Sequence, residues 1–335
     1  MSYRLTLILL ILFTRSFSQD IVLFRTQEPI HLRATGSIKS IKKNSNDSTL
    51  VAGKFEYKQG EEWITVPVSA RVRGNFRLKN CYFPPLKLKF KKQQAAQTVF
   101  AGNKSLKLVL PCKTSSDKNE LIRREYLCYQ FYQTLSPYYF NTRLATFELT
   151  EISRKKPRNY SLLTFFVEDN SLVAKRTGGV VTEVTGIGPA AFEEKQSVRN
   201  DFFQYMIGNA DWSAVYQHNS NTLVVDKKLI PLSYDFDMSG FVNASYAQAK
   251  PTQLGSGDIR ERVYRGFCKS KTVMQEVRTE FLQKEGALFA VIDQHASHFK
   301  PYEVKDMKGY LEGFFDLLKD DFRFEQSIVS QCRTK

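Results

Sequence analysis

Between Gly208 and Tyr246 the chain reads Gly-Asn-Ala-Asp-Trp-Ser-Ala-Val-Tyr-Gln-His-Asn-Ser-Asn, then a short apolar hairpin, then Tyr-Asp-Phe-Asp-Met-Ser-Gly. The stretch collects an acid (Asp211), an amide cluster (Asn219, Asn221) and an acidic pair (Asp235, Asp237), separated by strands expected over 222–226 and 228–233. Phosphoryl transfer needs such a set: a carboxylate to orient the acceptor, and an amide with a second carboxylate to hold Mg²⁺ against the phosphates. Asp211 is the candidate catalytic residue, and Asn219, Asn221, Asp235 and Asp237 are candidate metal ligands. His218 either orients Asp211 or Asn219 or caps the turn.

Each of these residues also has a structural reading. Asn-Ala-Asp after an apolar helical run suits a turn or helix cap. Asp235 and Asp237 lie two apart at a strand end, so extended geometry turns both carboxylates to one side. Like charges that close require a metal ion, or an Arg or Lys, between them. Trp212 and Phe236 read as core. For phosphate charge the candidates are Lys87, Lys89 and Lys107. Lys87 and Lys89 share a strand face that is either solvent or cleft. Lys107 precedes the helix carrying Glu125, and a Lys107–Glu125 bridge from strand to helix would hold α- and β-phosphates. Arg123 and Arg124 compete for Glu125 as an ordinary solvated helix face.

The elements that must position these groups are legible. Residues 20–110 alternate apolar and polar over 55–57, 63–68, 70–73, 86–90 and 106–110, an antiparallel sheet. Residues 116–135 switch to helical period, with Leu121, Ile122, Tyr126, Leu127, Phe131 and Leu135 apolar and Asp117 or Asn119 as N-cap. Strands follow over 143–152 and 161–168, with a further one over 172–175. Helix returns over 191–207 and dominates 258–330. The apolar spacing of 294–322 predicts one core helix. A strand-rich first half and a mainly helical second half describe an α+β protein, with an N-terminal lobe over 19–175 and a C-terminal lobe over 176–335.

In this order the motifs resemble the CotH-type atypical kinases, a secreted or spore-coat-associated bacterial branch of the protein-kinase-like fold. Arg73-Gly74-Asn75 and the basic strand Leu86-Lys87-Leu88-Lys89-Phe90 resemble that family's Arg-Gly-Asn turn and following strand. Lys107 to Leu110, then Asp117 and Leu121 to Glu125, resemble its strand leading into the first-lobe helix. Asp211, His218-Asn219, Asn221 and Asp235-Phe236-Asp237 resemble its catalytic and metal-binding stretch. The resemblance spans roughly residues 70–245. It implies a two-lobed protein-kinase-like fold and an ATP-dependent phosphotransferase using Mg²⁺ or Mn²⁺, with a protein or small-molecule hydroxyl acceptor. Departures are visible. Phe76-Arg77 follow the Arg-Gly-Asn turn where small hydroxyl residues are usual, and no Gly-x-Gly-x-x-Gly occurs. Asn219 lies eight residues after Asp211 instead of about five.

The chain opens with Met-Ser-Tyr-Arg, an apolar run over 5–13 and small residues at 16 and 18, the pattern of a signal peptide over 1–18. Export to the periplasm or medium is expected, and no later stretch is apolar enough for a membrane helix. The formal charge is +15 over 335 residues, suited to acidic partners. No zinc, helix-turn-helix or aromatic-basic pattern accompanies it, which argues against nucleic acid. Five scattered cysteines argue against zinc. Cys81 with Cys112 is the expected disulfide, and Cys128 is expected as a buried free thiol. Hydrolase motifs such as Gly-x-Ser-x-Gly and His-Glu-x-x-His are missing from the sequence. The alternative to a phosphotransferase is an inactive kinase-like module binding the envelope or a polyanion, favoured by the scarcity of ATP outside the cytoplasm.

Overall fold

A computed structural model describes residues 21–46, 48–152, 156–247 and 257–334; the expected signal peptide over 1–18 lies outside the described residues. Strands β1 (Ile30–Gly36), β2 (Val51–Gln59), β3 (Glu62–Val72), β4 (Leu86–Lys89), β5 (Ser105–Val109), β6 (Thr142–Glu151) and β7 (Arg158–Val167) carry the predicted alternation. They close into one barrel in the order β1-β2-β3-β4-β5-β7-β6. Closure is made by β1 lying parallel to β6, with Ile30 opposite Ala145 through to Gly36 opposite Glu151. The connections carry α1 (Ile38–Asn44), α2 (Asn75–Asn80), α3 (Lys92–Ala95) and α4 (Lys118–Leu135).

The second half holds α5 (Asn170–Thr177), β8 (Val180–Thr182), α6 (Glu194–Met206), β9 (Ser220–Val225) and β10 (Lys228–Ser233), then α7 (Lys271–His295), α8 (Pro301–Lys319) and α9 (Asp321–Phe324). Strands β8, β9 and β10 form a separate three-stranded sheet. The β9–β10 hairpin turns through Asp226 and Lys227, both with positive φ (48° and 63°), the geometry a two-residue hairpin turn requires.

The closed seven-strand barrel corrects the expected two-lobed protein-kinase-like fold. Period-two alternation says that a strand is half-buried, and it is silent on whether the sheet closes. Here closure depends on two strands far apart in the chain, and their parallel pairing replaces the expected all-antiparallel sheet. Two local expectations also change. Residues 172–175 are helical because Asp169 caps α5, its carboxylate accepting from the Ser171 N–H. The helix expected over 294–322 breaks at 296–300, and Pro301 occupies the first turn of α8.

The barrel encloses one apolar core built on Leu32, Val66, Leu88, Leu106, Leu162 and Phe166. A larger core joins α4, α6, α7 and α8 through Leu127, Phe131, Phe202, Phe281, Phe314 and Phe315. Helix α4 packs on β6 and β7 and also against α6 and α7, so it couples the two cores. Cys81 and Cys112 are bonded with Cα atoms 4.5 Å apart, tying the end of α2 to the segment after β5. A second disulfide, Cys268–Cys332, pins the C-terminus to the approach to α7, and Cys128 is free and buried. Among the described residues no helix is long and apolar enough to cross a membrane.

Buried Asp201 on α6 has one carboxylate oxygen without a hydrogen-bond partner. Burial pushes its pKa from 3.8 to about 7, with Asn200, Lys269 and Arg333 opposing. A carboxyl raised in the folded state favours folding at acid pH, and that contribution is lost as pH climbs through the folded pKa. Thermal unfolding across this range is therefore expected to show Asp201→Asn matching the parent below pH 3.8 and exceeding it increasingly towards about pH 7 and above.

Candidate functional site

A site forms where the wall of the barrel meets α4 and the end of β10. Gly74, at φ 79°, lets the chain leave β3 and start α2 at once. That turn carries Arg77 into the interior, 4% exposed. Its Nε and Nη2 donate to Asp237 Oδ2, each at 2.8 Å, and Nη2 reaches Glu125 Oε2 at 3.0 Å. Asp235 Oδ1 lies 3.5 Å from the same Nη2. One guanidinium thus faces three carboxylates from α4 and the post-β10 loop. The imbalance shows in their titration. Burial raises Glu125 to about 8, with Arg77 opposing and Asp237 and Asp235 adding to the rise. Burial raises Asp237 to about 6 against the same guanidinium. Glu125 Oε1 is buried with no hydrogen-bond partner. The cation that the Asp235/Asp237 spacing demanded is Arg77, and the expected Lys107–Glu125 bridge is replaced by Arg77–Glu125. Arg124 pairs with Glu120 and Asp306.

Lys107 instead enters the adjoining cleft. It is half-buried on β5, with Nζ 4.1 Å from the Tyr234 ring centre and 4.6 Å from that of Phe140. Burial, helped by Arg73, pushes its pKa well below the usual lysine range, while Asp169 and Asp235 oppose. Lys87 sits directly opposite Lys107 across the β4–β5 pair, and burial lowers its pKa too. Arg73 lies over the other ring position, 5.7 Å from the Tyr234 centre. Three cations therefore gather beside the Tyr234 ring, and the acids that oppose them are Asp169 and Asp235. Lys89, two residues along β4, is exposed.

Asp211 is delivered by the end of α6. Gly208, at φ 62°, ends the helix in the left-handed conformation, and a Cβ there would collide with the Tyr310 hydroxyl. Asn209 Oδ1 then accepts from the Asp211 N–H at 3.0 Å. His218 Nε2 lies 3.0 Å from Asp211 Oδ1, and Asn219 Nδ2 donates to the Asp211 carbonyl and to Oδ2 at 2.7 and 3.1 Å. The eight-residue separation is absorbed by a small hairpin, closed by Ser213 and His218 exchanging backbone hydrogen bonds at 2.8 and 2.9 Å. The Asn219 carbonyl accepts from the Tyr234 N–H at 3.0 Å, placing the Asp211 cluster beside the Tyr234-Asp235 turn. Asn219 and Asp235 both have positive φ (49° and 64°), uncommon for residues with a Cβ and held here by surrounding bonds. The Asp235 N–H donates to the Tyr129 hydroxyl at 3.0 Å. Asn221 pairs with Leu232 in the β9–β10 ladder, and its Nδ2 is buried without a partner.

The structure thus brings Asp211, His218 and Asn219 into contact, and gathers Glu125, Asp235 and Asp237 around Arg77. Lys107 stands apart from Glu125, and Lys89 lies outside the cleft. Sequence reasoning missed Arg73, Phe140, Tyr129, Tyr234 and Tyr246 as members of the site, and Arg77 as its centre. The signal for a cation was present in the acidic pair, but the partner lies 160 residues away.

Among the described residues no group of three or more His, Cys, Asp or Glu is arranged to hold a metal ion by itself. Asp235 is the carboxylate of the cluster with open surface, its side chain 32% exposed, whereas Asp237 is enclosed by Arg77 and the Tyr246 hydroxyl. Asp235 is thus the carboxylate of the cluster through which a hard divalent ion could be held, with its remaining ligands supplied from outside the cluster. Comparison with protein-family models and with curated proteins finds no match for the chain.

Removing Arg77 leaves buried carboxylates without their counter-charge, which costs about 3 kcal/mol or more. Arg77→Leu is expected to lower the denaturation midpoint strongly in urea titrations, and Arg77→Lys, which keeps the charge without the fork, to fall between the two.

Proposed function

We propose that the cleft binds the phosphates of a nucleotide, ATP with Mg²⁺ or Mn²⁺, and transfers a phosphoryl group to a hydroxyl of a protein or small molecule. The observation that carries this reading is the position of Lys107: a desolvated ammonium on the rings of Tyr234 and Phe140, beside Lys87 and Arg73. A cation stripped of water and crowded by other cations gains from an anion of high charge density. A polyphosphate supplies that charge.

In this reading Lys107, Lys87 and Arg73 neutralise phosphate oxygens, and the bound divalent ion offsets the charge that develops between the phosphates. Asp235 would hold that ion, with Asn219 or Asn221 as the amide candidate. Asp211 accepts the hydroxyl proton or orients the acceptor, and His218 and Asn219 fix its carboxylate. Glu125 and Asp237 position Asp235 through Arg77. Disulfides Cys81–Cys112 and Cys268–Cys332 support an exported, oxidising setting.

A second reading rests on a specific observation. Arg77 already compensates Asp237 and Glu125, so the same cleft could serve as a polyanion-binding module without turnover. Thermal unfolding with ATP and Mg²⁺ or Mn²⁺ separates the readings. The phosphotransferase reading expects stabilisation that depends on the divalent ion and is lost in Asp235→Ala and Lys107→Met. It also expects nucleotide turnover that falls about 100-fold or more in Asp211→Asn, which retains binding. Metal-independent stabilisation by ATP and pyrophosphate alike, with no turnover, would establish the binding module instead.

A further inference from the structure

The barrel interior is only partly filled. At one end Phe90, Phe100, Tyr57 and Phe55 interlock, Phe90 stacked on Phe100 at 5.3 Å and the others edge to face. At the other end the inward positions are small: Ala34 on β1, Gly53 on β2 and Ala70 on β3. A cavity of 220 Å³ remains there, walled by aliphatic and Phe side chains of the strands and covered by Ile38 and Ile41 of α1. Alternation along β2 puts Gly53 on the same face as buried Phe55 and Tyr57, yet Gly53 is exposed. An ideal Cβ at Gly53 meets nothing within 4 Å. The cavity therefore opens to solvent beside Gly53. The polar residues along its lining are Ser37 and Ser40 at the start of α1, and Thr35 and Lys54, which alternation places at the outward positions of β1 and β2.

From this geometry we propose that the barrel is a second ligand site, which takes a slender apolar molecule of the single acyl-chain class with its polar end at the mouth by Ser37 and Ser40. A dry apolar cavity of about 150 Å³ is enough to bind benzene, and small closed barrels commonly hold one ligand in their mouths. The lining offers no hydrogen-bonding group at depth, which selects an aliphatic chain. The Ser37 and Ser40 hydroxyls at the mouth offer hydrogen bonds to a polar end such as a terminal carboxylate or ester. Free fatty acid and the tail of a lysolipid share this chemistry. The site lies on the inward face of the barrel strands, whereas Lys87 and Lys107 belong to the alternate, outward positions of β4 and β5. Occupancy is thus independent of the nucleotide reading.

The test is fluorescence titration of the mature full chain with N-phenyl-1-naphthylamine, displaced in separate arms by decanoate, decanol and a short-chain lysophosphatidylcholine. Saturable one-site binding is expected, with displacement by at least one acyl ligand. Gly53→Leu places a side chain at the mouth, where a Cβ meets nothing within 4 Å, and Ala70→Phe fills the interior; each is expected to weaken the probe by about tenfold or more. Circular dichroism confirms that both variants are folded. Displacement by decanoate identifies a free acid and displacement by lysophosphatidylcholine a lipid tail. No saturable binding to the parent chain overturns the proposal, as does binding retained within about threefold in both filled variants.

Discussion

The Arg77 guanidinium is the contact on which the rest of the site depends. It is planar and always charged, so it can bind Asp237 through two nitrogens and still reach Glu125 and Asp235. Arg77 and its partners join three parts of the chain: α2 beside the barrel, α4 between the cores, and the loop after β10. A buried pair of this kind adds little net stability compared with apolar packing, and its loss is costly. Its effect is geometric. It holds the end of β10 against the barrel wall, and that placement sets the Tyr234 ring under Lys107 and leaves the Asp235 carboxylate facing the cleft.

The charges inside the site are unevenly matched. Three carboxylates share one guanidinium, and burial lifts Glu125 to about 8 and Asp237 to about 6. A few ångströms away Lys107, Lys87 and Arg73 crowd together, and burial lowers both lysines. An acidic surplus and a basic surplus therefore adjoin, with Asp235 acting on both Arg77 and Lys107. A ligand combining phosphate groups with a divalent cation would relieve both at once, whereas a simple anion relieves the basic side alone.

The same fold leaves its two ends chemically different. One face of the barrel wall is covered by α4 and the helical half, and there polar groups are buried, hydrogen-bonded and strained. The barrel mouth beneath α1 is apolar and lined by small residues. Positive φ at Asn219 and Asp235 belongs to the first region, where the surrounding contacts over-determine the backbone.

Local properties were determined by the sequence alone. Alternation located the barrel strands, helical period located α4, α6 and α8, and the order of acids and amides located the Asp211 to Asp237 stretch. The closeness of Asp235 and Asp237 in sequence pointed to a cation between them; the structure supplies it as Arg77, with the two acids set in the turn after β10, Asp235 at φ 64°, and not along a strand. Tertiary structure decided everything that depends on distant pairing. The barrel closes because β1 finds β6, which turns an expected open sheet into a continuous wall with an interior. Arg77 takes Glu125 away from Lys107 because the turn at Gly74 aims it inward, across 48 residues of sequence. Residues 172–175 become helical because one Asp169 cap outweighs a short apolar run. Periodicity reports which face of an element is buried; it carries no information about which other element does the burying, and the site is made of that choice.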